Sequence, residues 1–94
     1  MSEINDFYLN LVAQHWDKIV MLYRLAPKRP VMVYELPSQR IYSYPYKEYK
    51  DSLNARSQAM LKEQYAEARR TNGMVLFVKD HDKEIFKSFV LPLG

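Results

Sequence analysis

The 94-residue chain predicts an α+β fold, a two-layer sandwich in which two helices cover one face of a four-stranded antiparallel sheet. Three observations carry this. Apolar residues recur at helical spacing at about residues 3–26 and 46–72. Two stretches rich in β-branched and aromatic residues, at about 31–44 and 74–91, are each long enough for a hairpin. Prolines and short polar runs mark the joins. The order is helix, hairpin, helix, hairpin (α-β-β-α-β-β), in one domain over residues 1–94 whose single core buries roughly 60 to 65% of the unfolded surface.

The first helix runs from Glu3 to Ala26, with Ser2 as candidate cap and Glu3 and Asp6 in the opening turn, where the macrodipole favours carboxylates. Ile4, Tyr8, Leu11, Val12, Trp16, Ile19, Val20 and Tyr23 share its apolar face. Pro27 and Pro30 end it. Val31 to Leu36 and Gln39 to Tyr44 read as strands joined at Pro37 and Ser38, a register that sets Glu35 against Arg40, Val33 against Tyr42 and Val31 against Tyr44.

Pro45 suits the start of the second helix, whose stripe is Tyr46, Tyr49, Leu53, Ser57, Met60, Leu61, Gln64 and Ala68, with Tyr65 at its border. Asn72 and Gly73 supply a left-handed cap. In the last hairpin a turn centred on His81 and Asp82 sets Asp80 against Lys83, Lys79 against Glu84 and Phe77 against Phe86. Its strands are apolar on both faces, so the sheet needs two covers, and two helices on one side supply one. The two halves also repeat one topology.

Composition excludes several functions. Gly73 and Gly94 are the only glycines, so there is no glycine-rich loop to cradle a phosphate, and without cysteine there is no disulfide, zinc knuckle or thiol nucleophile. The N-terminus lacks the basic and apolar regions of a secretory signal, and charges interrupt the most apolar window, Phe7 to Leu25, so the expectation is a cytoplasmic protein with no membrane span. A net charge of +3 permits an anionic partner without requiring one.

Alternation puts Val31, Val33, Glu35, Arg40, Tyr42, Tyr44, Val75, Phe77, Lys79, Glu84, Phe86 and Val90 on the sheet face away from the helices. Such a patch is larger than soluble monomers usually leave open. The expected function is therefore a non-enzymatic protein-interaction domain, self-associating as a homodimer or binding another protein through a sheet face or edge. The interface candidates are Val33, Arg40, Tyr42, Tyr44, Phe77 and Phe86. The alternative is single-stranded nucleic acid, RNA above all, stacked on the same rings. Glu35, Glu84 and the small net charge weigh against it.

The remaining constellations are weaker. Lys28 and Arg29 with Arg69 and Arg70 form a basic cluster that dipole compensation also explains. His15, on the apolar face of the first helix, is expected to be a core residue, and the polar run Asp80 to Glu84 a turn more than a metal site. Tyr34, Tyr42, Tyr44, Tyr46 and Tyr49 are packing residues in this reading. No catalytic, cofactor or metal residues are assigned.

Overall fold

The computed structural model describes residues 3–94; Ser2, the expected helix cap, lies outside the described residues. Helices α1 (Glu3–Gln14) and α2 (Trp16–Leu25) lead into strands β1 (Pro30–Leu36) and β2 (Arg40–Pro45). Helices α3 (Tyr46–Asp51) and α4 (Ala55–Thr71) lead into β3 (Gly73–Asp80) and β4 (Ile85–Pro92). The α+β class and the four strands are as expected. The antiparallel sheet is not: the strand order is β2-β1-β3-β4, and the central pair β1 and β3 runs parallel, with Val31 opposite Val75 and Leu36 opposite Asp80.

Both expected helices are broken in two, and length explains why. At 1.5 Å per residue, unbroken helices over 3–26 and 46–72 would be about 36 and 40 Å long, whereas the longest extent of the molecule is 29 Å. The first break falls at His15 (φ −117°, ψ 16°), whose N–H donates to the Val12 carbonyl and whose own carbonyl accepts from the Ile19 N–H, both at 3.0 Å. The second spans Ser52 to Asn54, and the Asn54 side chain accepts from the Ser57 N–H at 2.9 Å to cap α4. Asn72 ends α4 in the left-handed conformation (φ 54°, ψ 50°), as expected for that pair.

The expectation of both helices on one face is also corrected. Tyr8, Val12, Ile19 and Tyr23 of α1 and α2 bury Met32, Tyr34, Leu36, Met74, Leu76 and Val78 on one face. Tyr49, Leu61 and Ala68 of α3 and α4 bury Val31, Val33, Val75 and Phe77 on the other. The result has three layers, helices on both sides of the sheet. The physical reason lies in β1 and β3, whose residues Pro30–Tyr34 and Gly73–Val78 are buried on both faces. Near-continuous apolar strands belong at the centre of a doubly covered sheet. The second cover that the sequence demanded comes from the chain's own second helical segment. With β1 parallel to β3, a hairpin partner outside each and helices on opposite faces, the halves 3–45 and 46–92 are related by an approximate two-fold axis along the central strands.

The predicted register of the first hairpin holds, from Glu35 opposite Arg40 to Val31 opposite Tyr44. The second hairpin is shifted by two residues: Asp80 lies opposite Ile85, Lys79 opposite Phe86 and Phe77 opposite Ser88. A two-residue shift keeps every side chain on its predicted face. It gives up the ion pairs expected at Lys79 and Asp80, which are worth little on a surface, and it sets Val75 against Val90, Leu76 against Phe89 and Met74 against Leu91. Glu84, in the left-handed region (φ 54°), closes the longer loop.

Candidate functional site

The six interface candidates divide between core and surface. Val33 and Phe77 lie under α3 and α4, only 1% and 2% exposed, so they are core residues and not parts of an open face. Tyr42 and Tyr44 are half-buried on β2, Arg40 is exposed at its start, and Phe86 is 49% exposed on β4. Four of the six nevertheless belong to one aromatic row. Tyr42 stacks on Tyr44 (centroids 6.0 Å apart), Tyr44 meets Tyr49 (5.4 Å), Tyr49 meets Phe77 (5.2 Å) and Phe77 stacks on Phe86 (5.1 Å). The row crosses the sheet from one edge to the other. Tyr49, which sequence reasoning treated as packing alone, is its bridge, and its place on the helical stripe with Leu53 was the available signal. Lys79 Nζ sits 5.7 Å from the Tyr49 ring and 5.6 Å from the Phe86 ring, close enough for cation–π attraction.

Helices cover both faces of the central strands, which leaves the outer strands β2 and β4 as the open parts of the sheet. β2 pairs with β1 alone and β4 with β3 alone. The two edges differ in protection: β4 carries Lys87 in its middle, whereas β2 between Arg40 and Pro45 is Ile41, Tyr42, Ser43 and Tyr44, uncharged throughout. Lysines on an edge discourage pairing with another chain, and an uncharged edge lacks that deterrent. Glu35, opposite Arg40 in the ladder, has its carboxylate 3.5 Å from His81 Nε2.

The loop end of β3 is held by a buried polar pair. The Tyr8 hydroxyl donates to Asp80 Oδ2 at 2.7 Å, and Asp80 Oδ1 accepts from the Lys83 N–H at 3.2 Å, which ties α1 to the β3–β4 turn. The Tyr8 hydroxyl bond, working against burial, holds the Asp80 carboxyl below its ordinary value. Burial, then the bond and charge of Asp80, push Tyr8 up from 10.0 to about 12. Burial, then Tyr44 and Glu35, push Tyr49 up to about 12 as well.

These shifts predict a pH profile. Asp80 binds protons more weakly folded than unfolded, so its contribution is present above the ordinary carboxylate range and is lost as pH falls through the folded value. Tyr8 and Tyr49 hold their protons more tightly when folded, so their contribution is intact below pH 10 and is lost as pH rises from 10.0 toward about 12. Urea midpoints measured across pH should decline on both sides of a broad plateau. Tyr8→Phe should shrink both limbs, and limbs unchanged by Tyr8→Phe would remove Tyr8 as their origin.

The remaining candidates are scattered. His15 lies at the α1–α2 junction with its ring 5.6 Å from that of Tyr34, and His81 lies on the β3–β4 turn, its N–H donating to the Leu36 carbonyl at 3.0 Å. Among the described residues no group of three or more His, Asp or Glu side chains is disposed to hold a metal ion. No helix among them is long and apolar enough to cross a membrane. Arg70 is paired with Glu67. Comparison of the chain with protein-family models, with curated proteins and with solved structures returns no match in any of the three.

Proposed function

We propose that this is a small cytoplasmic, non-enzymatic protein-interaction domain that pairs through the free edge of β2, most simply with β2 of a second copy. The carrying observation is the uncharged run Ile41–Tyr44 on a strand with a neighbour on one side only. Antiparallel pairing of two such edges would extend each four-stranded sheet into one of eight, satisfying backbone groups that otherwise face water. The stacked rings of Tyr42 and Tyr44 would meet their counterparts beside the seam. Geometry favours this over nucleic-acid stacking because Tyr49 lies against Phe77, where a base would have to sit.

Sedimentation at concentrations up to the high micromolar range tests the reading. The expected result is a concentration-dependent dimer, weakened at least tenfold by Tyr42→Lys, which adds an edge charge, and left unchanged by Phe86→Lys on the opposite edge strand. A parent protein that stays monomeric throughout, or a dimer indifferent to Tyr42→Lys, would overturn it.

A further inference from the structure

At the end of the sheet where β1 begins and β2 ends, the last turn of α2, the linker 26–29 and the start of α3 enclose a cleft of about 700 Å³. Its wall is mostly apolar, built from Leu22, Leu25, Pro27 and Pro45 with the rings of Tyr46 and Tyr65. Leu25, at 74% the most exposed large apolar residue among the described residues, belongs to this wall. Clefts that hold small molecules fall in the range of roughly 300–1,000 Å³ and combine apolar walls with a few polar anchors.

The frame of the cleft is tied in place. The Tyr65 hydroxyl donates to the Arg29 carbonyl at 3.0 Å, Arg29 Nη1 donates to the Gly73 carbonyl at 3.4 Å, and the Tyr46 and Tyr65 rings stack with centroids 4.0 Å apart. Its charges are all of one sign. Lys28, Arg29 and Lys47 line it, no Asp or Glu does, and no ion pair among the described residues engages these three. Burial raises the pKa of the Tyr65 hydroxyl, against the opposing pull of Arg69 and of Arg29 in the cleft. The basic cluster suspected from sequence is thus partly assembled, with Lys47 as a member that sequence spacing did not suggest.

We propose that this cleft binds a small amphipathic carboxylate. Its hydrocarbon or aromatic body would lie against Leu22, Leu25 and Tyr46, and its acid group at Lys28 and Lys47. Burying the apolar body supplies the driving force. The head group stays at a rim where cations compensate it and water still reaches it, so no charge is stranded. Without a glycine loop to wrap a phosphate, a carboxylate is the simpler match.

Titration of the labelled protein with decanoate, below its micellar concentration and followed by amide chemical shifts, tests this. Shifts confined to residues 22–30, 43–47 and the neighbourhood of Tyr65 are expected. Decyltrimethylammonium, of equal chain length and opposite charge, should bind at least tenfold more weakly. Lys28→Gln with Lys47→Gln, both at exposed positions, should weaken decanoate at least tenfold without changing the melting temperature. No shifts at the cleft, equal binding of the cationic amphiphile, or unchanged affinity in the double variant would each overturn the proposal. Tyr42, the residue that tests the β2 edge, lies outside the cleft, whereas Ser43 and Tyr44 belong to both. A Tyr42→Lys protein that loses the dimer but still binds decanoate, or a lysine double variant that loses decanoate but still dimerises, tells the failure of one reading from that of the other.

Discussion

Phe77→Ala should destabilise the protein by about 3–5 kcal/mol, the usual cost of emptying a fully enclosed phenylalanine site. Phe77 is 2% exposed on a central strand, with Tyr49 and Phe86 rings 5.2 and 5.1 Å away, so truncation leaves a cavity walled by aromatic groups that cannot easily collapse. For a domain of this size that is a large share of a total stability on the order of 5–15 kcal/mol, and the melting temperature should fall by at least about 12 °C. Urea denaturation measures the loss directly. The substitution also separates the two architectures: on a two-layer sandwich Phe77 would face solvent and its removal would cost under about 1 kcal/mol. A loss that small would refute the second helical layer.

Gly73→Ala should also destabilise, and here two effects of opposite sign compete. Alanine restricts the unfolded chain more than glycine does, which by itself would stabilise by about 0.4–1 kcal/mol, and Gly73 is not in the left-handed region that would forbid it. Contact decides the sign. A Cβ at Gly73 would stand 2.5 Å from the Leu91 carbonyl oxygen and 3.2 Å from its carbon, backbone atoms that cannot rotate away. Strand β4 would have to move, at a cost of about 1–3 kcal/mol. The expected net result is a lower melting temperature and faster amide exchange at Met74 and Leu91, the pair beside the clash. A stabilised Gly73→Ala protein would mean that this end of the hairpin is looser than its geometry.

Much of the local structure was legible before any coordinates. The 3.6-residue stripes announced the helices, and Tyr8, Val12, Ile19, Tyr23, Leu61 and Ala68 are buried on the faces those stripes define. The match of Glu35 with Arg40 fixed the first hairpin. The break before α4 is readable too, since Asn54 ahead of Ala55 is an ordinary N-cap signal. The break at His15 was not, because no proline or glycine marks it and only the finite size of the molecule requires it. In the second hairpin the charge pairs misled: exposed ion pairs are weak, and apolar matching along β3 and β4 outweighed them. Of the aromatic row, the strand positions and their faces were readable and the helical stripe marked Tyr49 as inward-facing, but which face of the sheet it meets was not; Lys47, in the cleft, lies off that stripe and no spacing rule brings it there.

By itself the sequence determined which segments are helix and which strand, which side chains of each share a face, and that the sheet is apolar on both sides. These follow from short-range periodicity and backbone preference, which act within one element. Only the tertiary structure decided that the second helical segment covers the opposite face from the first, that β1 and β3 run parallel at the centre, and that β2, with its uncharged run Ile41–Tyr44, is left at an edge. An amphipathic stripe specifies that a surface must be buried without specifying against what. That choice belongs to the packing of the whole chain, where both greasy faces of two central strands had to be covered at once.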